Sequence, residues 1–129
     1  MSNVVDVIED YLCDKCDEIF ASDGIICDKV FNPEEPINRA AFITQISADI
    51  TDQNSVGEYS AQILEHRLKR SECTADVEKI RKNFTIYGDK LQNGLAIYIS
   101  IKYITMPRKL VVGTQNAYWM SANLKITVK

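Results

Sequence analysis

Histidine, tryptophan, proline and glycine are scarce in this 129-residue chain, which has one His, one Trp, 3 Pro and 5 Gly. Each scarcity excludes something. His66 stands alone, whereas metal sites built on histidine usually use several rings, and no Ser-His-Asp spacing surrounds it. With so little Pro and Gly there is no linker or low-complexity tract. There is also no Gly-rich phosphate loop, Walker pattern or dinucleotide fingerprint. No repeat occurs at solenoid spacing. No apolar stretch approaches the roughly eighteen residues that span a bilayer. The start lacks a basic n-region, and Asp6, Glu9 and Asp10 interrupt any apolar run. These absences predict one domain, residues 1–129, made and used in a cytosol.

What is present is periodicity. From Leu95 to Thr105 the apolar residues fall on odd positions (Leu95, Ile97, Ile99, Ile101, Tyr103). From Tyr118 to Val128 they fall on even ones (Tyr118, Met120, Ala122, Leu124, Ile126, Val128). A period of two over about eleven residues predicts half-buried strands, and the matched lengths predict an antiparallel pair. Ile99, Ile101, Leu124 and Ile126 are the expected core of that pair.

Val4 to Phe20 has the helical period instead. Val4, Val5, Ile8, Tyr11, Leu12, Cys16, Ile19 and Phe20 lie on one side, and Asp6, Asp10, Asp14, Asp17 and Glu18 lie opposite. Ser22-Asp23-Gly24 is a turn signal. Short strands are predicted over 24–31, 40–50 and, with weaker alternation, 59–70. A second helix is predicted over 74–87, capped by Thr74 and closed by Gly88. The predicted fold class is α+β: an antiparallel β-sheet with two helices packed on one face, in the order α-β-β-β-α-β-β. Leu110, Val111 and Val112 lie between the last two strands, as a small extra strand or an apolar contact tip.

The net charge of −3 conceals an asymmetry. Residues 1–60 carry 13 acidic and 3 basic side chains, and residues 61–129 carry 5 acidic and 12 basic. The halves either attract each other within the fold, or an acidic face of one copy meets a basic face of the next, or the faces are simply solvated. Lys69, Arg70, Lys79, Arg81, Lys82, Arg108 and Lys109 follow no nucleic-acid reader motif, aromatic interleaving is poor, and the acidic helix opposes DNA.

Cys13-x-x-Cys16 with Cys27 and Cys73 could form a four-thiolate zinc site. Both motif cysteines fall mid-helix and no second pair exists, so four reduced cysteines acting as small apolar fillers is the stronger reading. A redox site would need the motif at a helix N-terminus. Glu34-Glu35 and Asp49/Asp52 read as solvated loop charge. No catalytic, cofactor-binding or metal-binding residue is assigned.

The opening amphipathic helix, the run 61–71 followed by Ala75, Val77, Ile80 and Phe84, and the ending Pro107, Gly113 and 117–128 together resemble the tail terminator (tail-to-head joining, "minor capsid") proteins of long-tailed bacteriophages. The resemblance implies a non-enzymatic virion protein at the tail–neck junction, made in the host cytoplasm. It implies a homo-oligomeric ring, a hexamer, that caps the tail tube. Its partners would be other copies of itself, the tail tube protein and a neck or head-completion protein, and DNA would pass through the lumen without sequence-specific binding. The candidate interaction residues are Asp10, Asp14, Asp17 and Glu18 on the helix, and Arg108, Lys109, Leu110, Val111 and Val112 near the last strands. The alternatives are another phage neck or head-completion protein, a small cytosolic enzyme or metal-binding domain using the four cysteines, or an adaptor or immunity-type module that docks through the acidic helix.

Overall fold

A computed structural model of the chain describes residues 4–29, 41–48, 56–112 and 115–129. The loop assignments at Asn32–Pro36 and around Asp49–Asn54, with their paired carboxylates, lie outside the described residues.

Helix α1 runs Val4–Phe20 as its period predicts. Val4, Val7, Ile8, Leu12, Cys16 and Phe20 are its buried stripe, with Val7 joining the expected set. Asp17 and Glu18 oppose the helix dipole in a last turn without a basic residue. A 3-10 turn, Ala21–Asp23, then leads to Gly24, whose φ is 73° and whose N–H donates to the Ala21 carbonyl at 3.2 Å. A Cβ would be strained there, so glycine suits the stop.

Six strands follow α1: β1 (Ile26–Asp28), β2 (Ala41–Ala48), β3 (Gly57–Arg67), β4 (Ile86–Lys90), β5 (Ala96–Val112) and β6 (Gln115–Val128), with α2 (Arg70–Asn83) between β3 and β4. They form one mixed sheet in the order β1-β2-β3-β6-β5-β4, curled into a half-barrel. One face is largely apolar, with Thr44 and Glu65 as buried polar positions on it. Thr44 opposes Ile63, Ile63 opposes Ala122, Ile99 opposes Ile126, and Ile86 opposes Ile99. Both helices bury their stripes on this face, where Phe20 stacks on Phe42 with ring centroids 4.1 Å apart. The curl brings the far edge strand to α1 as well, so Tyr11 donates a 2.7 Å hydrogen bond to Asp89 on β4.

This fold corrects the expected α-β-β-β-α-β-β antiparallel arrangement in three ways. First, β1 pairs parallel with β2, making the sheet mixed. About a dozen residues separate these strands, the length a parallel crossover needs. Second, an additional strand, β4, occupies the end of the expected second helix. That helix begins at Arg70 with Lys69 as its cap residue, and Thr74 sits inside it, donating to the Arg70 carbonyl at 3.0 Å. It ends at Asn83. Tyr87, expected on its buried stripe, is 86% exposed on β4. Gly88 marks a register shift within β4 rather than the helix end, with φ of 80° and Tyr98 Oη 3.3 Å from where a Cβ would stand.

Third, the expected loop after Thr105 is strand. β5 continues through Pro107 to Val112, pairing Arg108 with Trp119 and Val112 with Gln115. A register shift between Thr105 and Arg108 takes Met106 and Pro107 out of the ladder, so the missing proline N–H costs no hydrogen bond. Leu110, Val111 and Val112 thus belong to β5 and not to a separate strand, and their side chains lie outside the described residues. A second shift, between Ile101 and Tyr103, moves the following residues to the other face. Ile97 and Ile99 are buried, Ile101 is half-buried, and Tyr103 points outward at 58% exposure. Leu124 and Ile126 are buried as expected.

Candidate functional site

The fold sorts the charge asymmetry onto separate surfaces. On α1, Asp14, Asp17 and Glu18 are exposed, and among the described residues no salt bridge reaches them. Asp10 is different: it is half-buried and pairs with Lys29 beside β1. The acidic surface therefore consists of three of the four expected residues.

The basic candidates lie across the sheet. Arg108 is on the face turned away from the helices, opposite Trp119, with its guanidinium carbon 5.9 Å from that ring's centroid. Lys109, its neighbour along the strand, alternates to the other face and opposes Tyr118. The two halves do meet within the chain at a few points: Lys79 with Asp23, Arg67 with Asp23, and Lys125 with Glu58 at 3.2 Å. None of these involves the acidic stripe of α1.

Sequence reasoning missed what accompanies Arg108. Tyr103, Tyr98 and Tyr87 share its outer face, opposite Asn123, Thr127 and Tyr98 respectively. Lys125 shares that face too, and the Lys129 ammonium lies 5.2 Å from the Tyr98 ring centroid. Met106, in the bulge, is 56% exposed. The available signal was Tyr98 at an even, outward position of β5. Tyr103 was hidden by the bulge and Tyr87 by the helix assignment. Nearer β2 the same face has a hollow whose lining includes the uncharged hydrogen-bonding side chains of Gln45, Ser47, Ser60, Gln62 and Asn123, together with Ile46 and Ala61.

The four cysteines are free; Cys13, Cys16 and Cys27 lie near one another, and Cys73 lies apart. The Cys16 thiol lies beside Cys27, and Cys13 Sγ lies 3.7 Å from Thr44 Oγ1. Cys73 is elsewhere, on α2 beside Glu65 and Asp76. Contact with Cys27, then burial, raises the Cys16 thiol pKa, and burial raises that of Cys13. Burial and the two carboxyls push Cys73 up to about 12. The Cys13, Cys16 and Cys73 thiols therefore stay protonated at neutral pH and are weak nucleophiles. Among the described residues no group of three or more His, Cys, Asp or Glu is placed to hold a metal ion. His66 faces outward opposite Trp119, and burial lowers its pKa.

The densest polar cluster was not anticipated. Arg67 at the end of β3 reaches Glu65 two residues back, Asp76 and Glu72 on α2, and Asp23 in the turn after α1. Glu65 and Asp76 are both buried. In sequence Glu65 is a charged residue at an inward position of an alternating strand, which is a readable signal.

No protein-family model matches the chain, and neither does any curated protein sequence. No helix among the described residues is long and apolar enough to cross a membrane.

Proposed function

We propose that the chain is a structural virion protein that closes into a ring, caps the tail tube of a long-tailed bacteriophage and joins it to the neck, without catalysis. The observation that carries this reading is the separation of an acidic α1 surface from a basic, aromatic surface on the outer face of β4, β5 and β6. A head-to-tail contact between identical copies needs two different, complementary patches on one chain. Asp14, Asp17 and Glu18 supply one. Arg108 and Lys125 supply the charge of the other, and Lys109 falls on the opposite face.

Charge alone would hold such a contact weakly. Exposed ion pairs contribute about 0–1 kcal/mol and salt screens them. Tyr87, Tyr98, Tyr103 and Met106 add the aromatic and thioether area typical of interface centres, beside an arginine. A ring of six, with the tail tube below, the neck above and DNA in the lumen, is the assembly that the sequence resemblance implies. The virion, at the tail–neck junction, is then the site of action.

Electron microscopy of tailed particles tests the reading. Ring-shaped density at the tail–neck junction that fits this fold is the expected result, with tails of irregular length when the gene is deleted. Density for the chain elsewhere in the neck, or normal tails without it, would overturn the assignment.

A further inference from the structure

Arg67 faces more carboxyl groups than one guanidinium can balance. Its Nε donates to Glu65 Oε1 at 3.1 Å and to Asp76 Oδ2 at 2.6 Å, and its Nη2 donates to Asp76 Oδ1 at 3.1 Å. Glu65 is 0% exposed and Asp76 1%. Glu72 lies 3.6 Å from Nη1 and Asp23 3.9 Å from Nη2. The other cation at the cluster, Lys79, is 2.5 Å from Asp23 and lies over the Phe20 ring. Arg70 lies near Cys73 on the adjoining turn of α2. From the flanking strands Glu65 meets Phe42 and Met120 in register, which bring no charge.

Two buried carboxylates on one guanidinium would leave a net negative charge in the core, which is strongly unfavourable. The second oxygen of Glu65 makes the point sharper. Oε2 is buried and no donor among the described residues reaches it. As a carboxylate oxygen it would be an orphan acceptor, a rare and costly state. As a hydroxyl it becomes a donor, and Asp76, which shares the Arg67 Nε with Glu65, is the neighbouring carboxyl to accept.

We propose that Glu65 is a carboxylic acid in the folded protein at neutral pH, that it donates its hydrogen to Asp76 beneath Arg67, and that this single proton latches α2 onto β3. Burial, and then the bond to and charge of Asp76, move the Glu65 carboxyl from the usual carboxylate range to about 10 against the opposing pull of Arg67. The sign follows from linkage. Folding takes up a proton wherever the unfolded chain is ionised at Glu65 and the folded chain is not. The latch is fully effective below the ordinary carboxyl pKa and is lost as pH rises to about 10. Within that window the folding equilibrium constant contributed by this site falls by up to about tenfold per pH unit.

Glu65→Gln is the test, because an amide keeps an acceptor for Arg67 and a permanent donor for Asp76. Urea unfolding of the wild type and the variant, from neutral pH to about 10, should show stability falling steeply with pH in the wild type and a flatter profile in the variant. In parallel, a carbon-13 NMR titration of the wild-type glutamate carboxyls should show one still protonated at neutral pH. Identical pH profiles in the two proteins would overturn the proposal. So would a full set of ionised glutamates at neutral pH, which decides the matter even if the variant fails to fold.

Discussion

Ile99→Ala and Tyr103→Ala, compared side by side, test the kink in β5. Unbroken alternation puts both residues in the core. The register shift after Ile101 separates them: Ile99 is 2% exposed between Ile86 and Ile126, and Tyr103 is 58% exposed opposite Asn123. Ile→Ala deletes three buried carbons, about 2.4 kcal/mol at about 0.8 kcal/mol per methylene. The unfilled cavity extends the expected loss to about 2–5 kcal/mol. For a chain of this size that lowers the melting temperature by on the order of 10 °C. Tyr103→Ala removes contacts that are mostly with water, so a change within about 0.5 kcal/mol is expected. Equilibrium urea denaturation measures both, with an unchanged denaturant slope confirming that the same two states are compared. Ile101→Ala, half-buried at the bulge, should fall between them. An equal loss at Ile99 and Tyr103 would mean that the strand runs without the bulge and that the outer tyrosine surface is misassigned.

Two further outcomes follow from the polar contacts. Arg67→Met should destabilise the fold by about 3–5 kcal/mol in the same assay, because it leaves the Asp76 carboxylate buried without its cation and Glu65 Oε1 without its donor; a change below about 0.5 kcal/mol would refute the cluster. Tyr11→Phe should weaken the fold modestly at neutral pH by removing the bond to Asp89. That bond, then the Lys90 N–H, holds the Asp89 carboxyl below its ordinary range. Its contribution is present above the ordinary carboxylate pKa and disappears as pH falls through the lowered one. The difference between wild type and Tyr11→Phe should therefore close in acid, and a gap that widens there would contradict the assignment.

Local pattern determined the elements whose surroundings are uniform along their length. Helix α1 was legible to its last residue, because one stripe of it faces apolar surface throughout and Gly24 gives an unambiguous stop. The inward positions of β6 were legible because nothing interrupts its period of two. Charge counting revealed an acidic and a basic half, since net charge is a property of sequence.

Only the tertiary structure decided the rest. A bulge leaves no signature in alternation until a partner strand fixes the register, so Tyr103 read as core. Tyr87 fits a helical stripe by spacing alone, and pairing with Tyr98 makes it strand. Whether β1 runs parallel depends on the neighbour it finds, not on its own three residues. Glu65, Arg67 and Asp76 become one site because α2 folds back over the end of β3. Local sequence limits what a residue can do, but burial and long-range contacts determine which charges meet.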